Sequence, residues 1–175
     1  MNRTISASLL SLALLTGTAS FAAMPASADK AAAAMNVDKA SFVKVVTSSN
    51  AFEIESSKLA EQKAKDADVK EFAAAMIKDH TMAAEELKKA AKVGDETPVL
   101  SPKHAAMLET LKGASDQDFQ PLYIEMQTAA HMEAVTLFAT YAKGGDDAAV
   151  KAFATKTLPK LEMHKMHVTK LVAAH

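Results

Sequence analysis

Four polar residues, Glu53, His80, His131 and His164, fall on otherwise apolar helical seams, one on each of four long segments. A titratable side chain in such a seam is costly unless it finds a partner. Helical bundles bind metal ions by turning carboxylates and imidazoles inward from facing helices. One carboxylate with two or three imidazoles makes a mononuclear donor set that suits zinc, iron, copper or nickel. Asp79, next to His80, is a further ligand or the neighbour that holds an imidazole in one tautomer. The competing expectation is a buried network without metal, which pins helix register by hydrogen bonds alone. In it Glu53 bonds His80, while His131 and His164 bond Gln127 or the hydroxyls of Tyr123 or Tyr141.

Depth along the helices tests whether the four can meet. Glu53 lies about 11 residues before the end of its segment and His80 about 12 after the start of the next, so an antiparallel hairpin sets them level. His131 lies about 12 residues before its turn and His164 about 17 after it, an axial offset of roughly 7 Å. Glu53 and His80 should therefore approach most closely, with His164 the next nearest imidazole and His131 after it. A kink at Pro159 is expected to narrow the gap between the last two.

Other chemistries find less support. Two-metal carboxylate bundles carry Glu-x-x-His on two helices, and no Glu-x-x-His occurs in this chain. The run Met163-His164-Lys165-Met166-His167, with His175 at the end of the chain, offers copper-like donors. Helical spacing sends Met163 and Met166 away from His164, so they should not converge on one ion. There is no cysteine, no Gly-x-Ser-x-Gly turn and no glycine-rich phosphate loop, and the reading leans away from an enzyme. Without thiols, thiolate zinc sites and thiol redox chemistry are excluded.

The segments that must position the four residues show sustained three-and-four spacing and no strand-like alternation. Helices are expected near 38–64, 68–92, 116–143 and 148–173, with a short one near 102–112 in the connector between the second and third. The first seam reads Phe42, Val45, Ser49, Phe52, Ser56 and Leu59. Asp66 or Asp68 offers an N-cap, Ser101-Pro102 another, and Gly94 and Gly113 read as helix stops. A weak repeat sets Val69-Lys70-Glu71-Phe72-Ala73 against Val150-Lys151-Ala152-Phe153-Ala154. It also sets Glu53-x-Glu55 against His131-x-Glu133. Two related helical hairpins joined by a long connector describe an all-α, ferritin-like antiparallel four-helix bundle.

The N-terminal stretch has the anatomy of a secretory signal: a positive tip, an apolar run from Ile5, and Ala26-Ser27-Ala28 before the expected cleavage. Residues 1–28 read as signal peptide, 29–36 as an Ala-rich linker and 37–175 as the bundle. A periplasmic or secreted location follows, with no membrane span once the signal is removed. The mature part, about 147 residues, is the usual size of one domain. The only Arg is Arg3, and the whole chain carries a net charge of −1. Without guanidinium forks or a basic balance, phosphate clamps and nucleic-acid binding are excluded as leading functions.

Several of these stretches resemble one family of exported bacterial proteins. They are Glu53-Ile54-Glu55-x-x-x-Leu59-Ala60, Val69-Lys70-x-Phe72-Ala73-x-x-Met76-Ile77-x-Asp79-His80, His131-x-x-Ala134-Val135-x-Leu137-Phe138 and Phe153-Ala154-x-x-x-Leu158-Pro159-x-Leu161-x-x-His164. The family is domain of unknown function 4142, and the resemblance covers roughly residues 38–172. It implies a ferritin-like bundle in the periplasm and no established chemistry. The leading expectation is a binding or structural protein of the envelope, linked by that resemblance to stress. The alternative is a metal-binding protein with the Glu/His site in its core.

Overall fold

A computed structural model describes residues 37–94 and 97–174. The expected signal peptide, the linker and His175 lie outside the described residues. Five helices follow one another: α1 (Lys39–Lys63), α2 (Ala67–Ala91), α3 (Pro102–Gly113), α4 (Phe119–Gly144) and α5 (Ala148–Ala174). There is no strand among the described residues, and the molecule is an all-helical bundle.

Side chains set the helix boundaries. Asp38 caps α1 by accepting from the Ser41 amide at 2.8 Å, and Asp66 caps α2 by accepting from Asp68 N at 2.8 Å. Ser101 caps α3 ahead of Pro102, whose missing N–H costs nothing at the first position. Asp147 accepts from the amides of Ala149 and Val150 at the start of α5. Its second oxygen takes Lys39 Nζ at 2.8 Å, which ties the beginnings of α1 and α5 together. The stop of α2 differs from expectation: the left-handed C-cap is Lys92 (φ 57°), two residues before Gly94. Gly145 is required by space, because a Cβ there would sit 2.5 Å from the Tyr141 ring.

The short turns 64–66 and 145–147 make α1–α2 and α4–α5 hairpins of neighbouring helices. The hairpins dock through α2 against α5 and α1 against α4, and α3 lies over α1 and α4. That cover explains one departure in α1. The expected face included Val45 and Ser49, but Val45 is 47% exposed while Val46, Ser48, Asn50 and Ser57 are buried. A helix covered on several sides has no single apolar stripe, so its periodicity points only roughly at the core.

Two apolar clusters fill the ends of the bundle. One gathers Val69, Phe72, Met76, Leu111, Phe119 and Tyr123. The other gathers Phe42, Leu87, Phe138, Tyr141, Val150 and Phe153, with Phe42 stacked on Tyr141 at 4.1 Å between ring centroids. The sequence positions between them hold a buried polar layer to which each long helix contributes: Glu53 from α1, His80 from α2, His131 from α4 and His164 from α5. Helix α5 runs unbroken through Pro159, which lies on the exposed side. The carbonyl of Thr155 that loses its amide partner there belongs to an exposed residue, where water can satisfy it.

Candidate functional site

The three histidines converge, and Glu53 reaches two of them. Glu53 Oε2 lies 3.5 Å from His80 Nε2 and 3.7 Å from His131 Nε2. The three imidazole rings form a near-equilateral triangle, with centroid distances of 5.8 Å for His80–His131 and 5.5 Å for each of the other two pairs. One ring nitrogen from each histidine lies within 4.8 Å of those of the other two. Glu53 and His131 are fully buried, and His80 and His164 are 4% and 6% exposed.

His131, rather than His164, is the second imidazole beside Glu53, and the 7 Å offset does not keep it from His164. Helical side chains lean toward the N-terminus of their own helix. In α4 that direction carries the His131 imidazole away from the 145–147 turn. In α5 it carries the His164 imidazole toward the turn. The two leans are opposite in space and close most of the gap that Cα counting leaves.

Each ring is oriented by a hydrogen bond on its far nitrogen. His80 Nδ1–H donates to Asn50 Oδ1 at 2.8 Å. His131 Nδ1–H donates to the Gln127 carbonyl at 2.9 Å. His164 Nε2–H donates to Asp79 Oδ2 at 2.9 Å. These bonds fix the tautomers, so His80 Nε2, His131 Nε2 and His164 Nδ1 keep their lone pairs. Those three nitrogens and both oxygens of Glu53 are buried with no hydrogen-bond partner among the described residues. The expected hydroxyl partners are engaged elsewhere: Tyr123 pairs with Ser57 at 2.9 Å, and Tyr141 donates to Asp146 at 2.9 Å.

The electrostatics suit neutral donors. Burial, and then the neighbouring His131 and His164, hold His80 well below its ordinary value. Burial brings His131 down to about 4, against the opposing Gln127 hydrogen bond. Burial also lowers His164, although Asp79 pulls the other way. Burial alone pushes Glu53 well above the usual carboxylate range. Asp79 stands on the outer side of His164 and is also 3.3 Å from Lys160 Nζ. Burial works against its ionisation, but the hydrogen bonds from His164 and Lys160 prevail and keep its carboxyl below the ordinary value. It therefore acts behind His164 rather than beside it.

Asn50 and His104 were not singled out from the sequence. Asn50 precedes Glu53 by three residues, one turn away on the same helix face, and that spacing was the available signal. His104 faces away from the cluster: Ser48 Oγ pairs with its Nδ1 at 2.6 Å and accepts from Ser101 N at 2.8 Å. The Met163/Met166 run stays apart as expected, with both methionines about half exposed.

Fold and site together define an all-helical bundle with a buried layer of three histidines and one carboxylate. The chain belongs to the family described as Domain of unknown function (DUF4142), whose match covers residues 24–171. No curated protein and no solved structure matches it. No helix among the described residues is long and apolar enough to cross a membrane.

Proposed function

We propose that this protein binds one transition-metal ion in the centre of a ferritin-like four-helix bundle, through Glu53, His80, His131 and His164. The observation that carries the reading is the set of five unpartnered buried atoms: three imidazole nitrogens, each oriented from behind, and the two oxygens of one carboxylate. Leaving even one buried polar atom unpaired costs about 1–3 kcal/mol. A register network without metal would leave five such atoms at one height of the bundle. A single cation takes up the lone pairs of the three nitrogens and of the near carboxylate oxygen together. Ligating histidines generally donate their other N–H to a carboxylate, a carbonyl or a similar acceptor, and Asp79, the Gln127 carbonyl and Asn50 supply those acceptors here.

Three neutral nitrogens and one carboxylate oxygen suit zinc, iron, copper or nickel in the divalent state. The signal-peptide pattern of residues 1–28 supports a protein that meets its ion outside the cytoplasm, as a binding protein of the envelope. The test is elemental analysis of protein purified from the periplasm without an affinity tag. Stoichiometric metal in the wild type, lost in His80→Leu and His131→Leu, is the expected result. Metal-free protein that also shows no thermal shift with zinc, copper, iron or nickel would overturn the reading.

A further inference from the structure

Resting on that metal-binding reading, we infer that the ion enters and leaves through the seam between α2 and α5, where Asp79 draws it in, the His164 side chain swings aside to admit it, and Lys160 latches that opening. The inward nitrogens of the three histidines and both oxygens of Glu53 are sealed from solvent. An ion reaches them only when one wall of the bundle opens locally, and the wall with the fewest buried contacts and the most exposed hydrogen bonds opens first.

The walls differ. Helix α3 lies over α1 and α4, and it does so at the height of the polar layer. Its Leu108 packs with Phe52 and Ala130, the chain neighbours of Glu53 and His131, and those two ligands are fully buried. Among the described residues no helix lies over the opposite seam, between α2 and α5. His164, which bridges that seam to Asp79, is the most exposed of the four proposed ligands at 6%.

The anchors of the three rings differ in the same sense. His131 is tied to a main-chain carbonyl of its own helix, and His80 to Asn50, which is itself buried. His164 is tied to a side chain that reaches the surface, since the Asp79 side chain is 14% exposed. Asp79 Oδ2 takes both His164 Nε2 at 2.9 Å and Lys160 Nζ at 3.3 Å, and Lys160 is exposed. Swinging the His164 ring outward therefore breaks one hydrogen bond at the rim of the bundle and none of the main chain. The ion pair behind it is an exposed one, which contributes little to stability, so the latch opens at low cost. The same charges act on an approaching ion: a carboxylate at the mouth raises the local concentration of cations, and an ammonium beside it lowers it.

The test uses the full mature protein and cobalt(II), whose visible absorption follows uptake by stopped flow and release into excess EDTA. Wild type should take up one cobalt per chain. Lys160→Ala, which leaves the His164–Asp79 bond in place, should speed uptake and release together by roughly threefold or more. Asp79→Asn, which removes the charge but keeps an oxygen for His164, should slow uptake by a similar factor. Lys156→Ala removes an equal charge one turn away on α5, from a pair with Glu86, and should change uptake far less. Leu108→Ala, which loosens α3 over the other seam, should leave uptake unchanged. Unaltered uptake in both Lys160→Ala and Asp79→Asn, or an equal gain in Lys156→Ala, would overturn the Asp79–Lys160 latch. Faster uptake in Leu108→Ala would overturn the α2–α5 route in favour of the α1–α4 side. Failure of the wild type to bind cobalt at all would overturn the metal reading itself.

Discussion

His131 Nε2 lies 3.7 Å from Glu53 Oε2, with both side chains completely excluded from solvent. The two residues occupy matching positions of the weak internal repeat, one on the first helix of each hairpin. At these positions one hairpin supplies a carboxylate and the other an imidazole. A neutral pair at this distance gains little, and the separation is too long for a good hydrogen bond. It is short enough for both atoms to reach one ion between them.

Removal of an imidazole from either hairpin should have the same effect. For His80→Leu and His131→Leu, metal affinity measured by competition with a chelator should fall at least roughly tenfold, and metal-dependent thermal stabilisation should vanish with it. A purely hydrogen-bonding role predicts a different outcome. Folding stability would fall by about 1–3 kcal/mol while metal content stayed the same.

Metal-free protein should gain stability as pH rises toward 6.5. The histidines are depressed from 6.5, so their contribution is present above 6.5 and is lost as pH falls, down to about 4 for His131. His131 alone accounts for about 3 kcal/mol of that loss, from its shift at 1.36 kcal/mol per pH unit. Glu53 is raised from 4.5, so its contribution is present below 4.5 and is lost as pH rises toward its folded value. Between 4.5 and 6.5 the three histidines outweigh the single carboxyl and stability should climb with pH. Denaturant titrations from pH 4 to 7 test the climb, and Glu53→Gln, which removes the opposing contribution, should steepen it.

Asp79 should matter for the ion without touching it. Asp79→Ala removes the acceptor that fixes the His164 tautomer and should weaken metal binding by about 10–100-fold. Asp79→Asn keeps an oxygen in place and should lose less. Equal affinities in wild type and Asp79→Ala, measured by chelator competition, would mean that His164 needs no such support.

Ser48 offers a control outside the layer. Ser48→Ala strips a partner from both His104 Nδ1 and the Ser101 amide. It should cost about 1–3 kcal/mol in urea unfolding and leave metal affinity unchanged.

The helices were legible because three-and-four spacing persists for many turns, and Asp38, Asp66, Ser101-Pro102 and Asp147 mark starts that depend on local chemistry alone. The level match of Glu53 and His80 was legible for the same reason, since a short turn leaves little freedom of register. The approach of His131 to His164 was not legible, because residue counting tracks Cα height while imidazoles lean along the helix axis. The orientation of α1 was obscured by α3, which packs on a side that a single-seam reading assigns to solvent. Asn50 and the Ser48–His104 pair escaped because their partners are brought near by tertiary packing, 30 and 56 residues away in sequence.

The polar layer divides its donors evenly between the hairpins, with Glu53 and His80 on α1–α2 and His131 and His164 on α4–α5. Neither hairpin alone holds more than two, and two donors make a weak chelate. An ion bound at this height therefore acts as a crosslink that forms only when the halves have found each other in the correct register. On the proposed reading, chelation would report completed assembly, and a chain nicked in the connector between α2 and α4 would stay joined through the ion. Withdrawing the ion would loosen the seam between the hairpins before it loosened either hairpin.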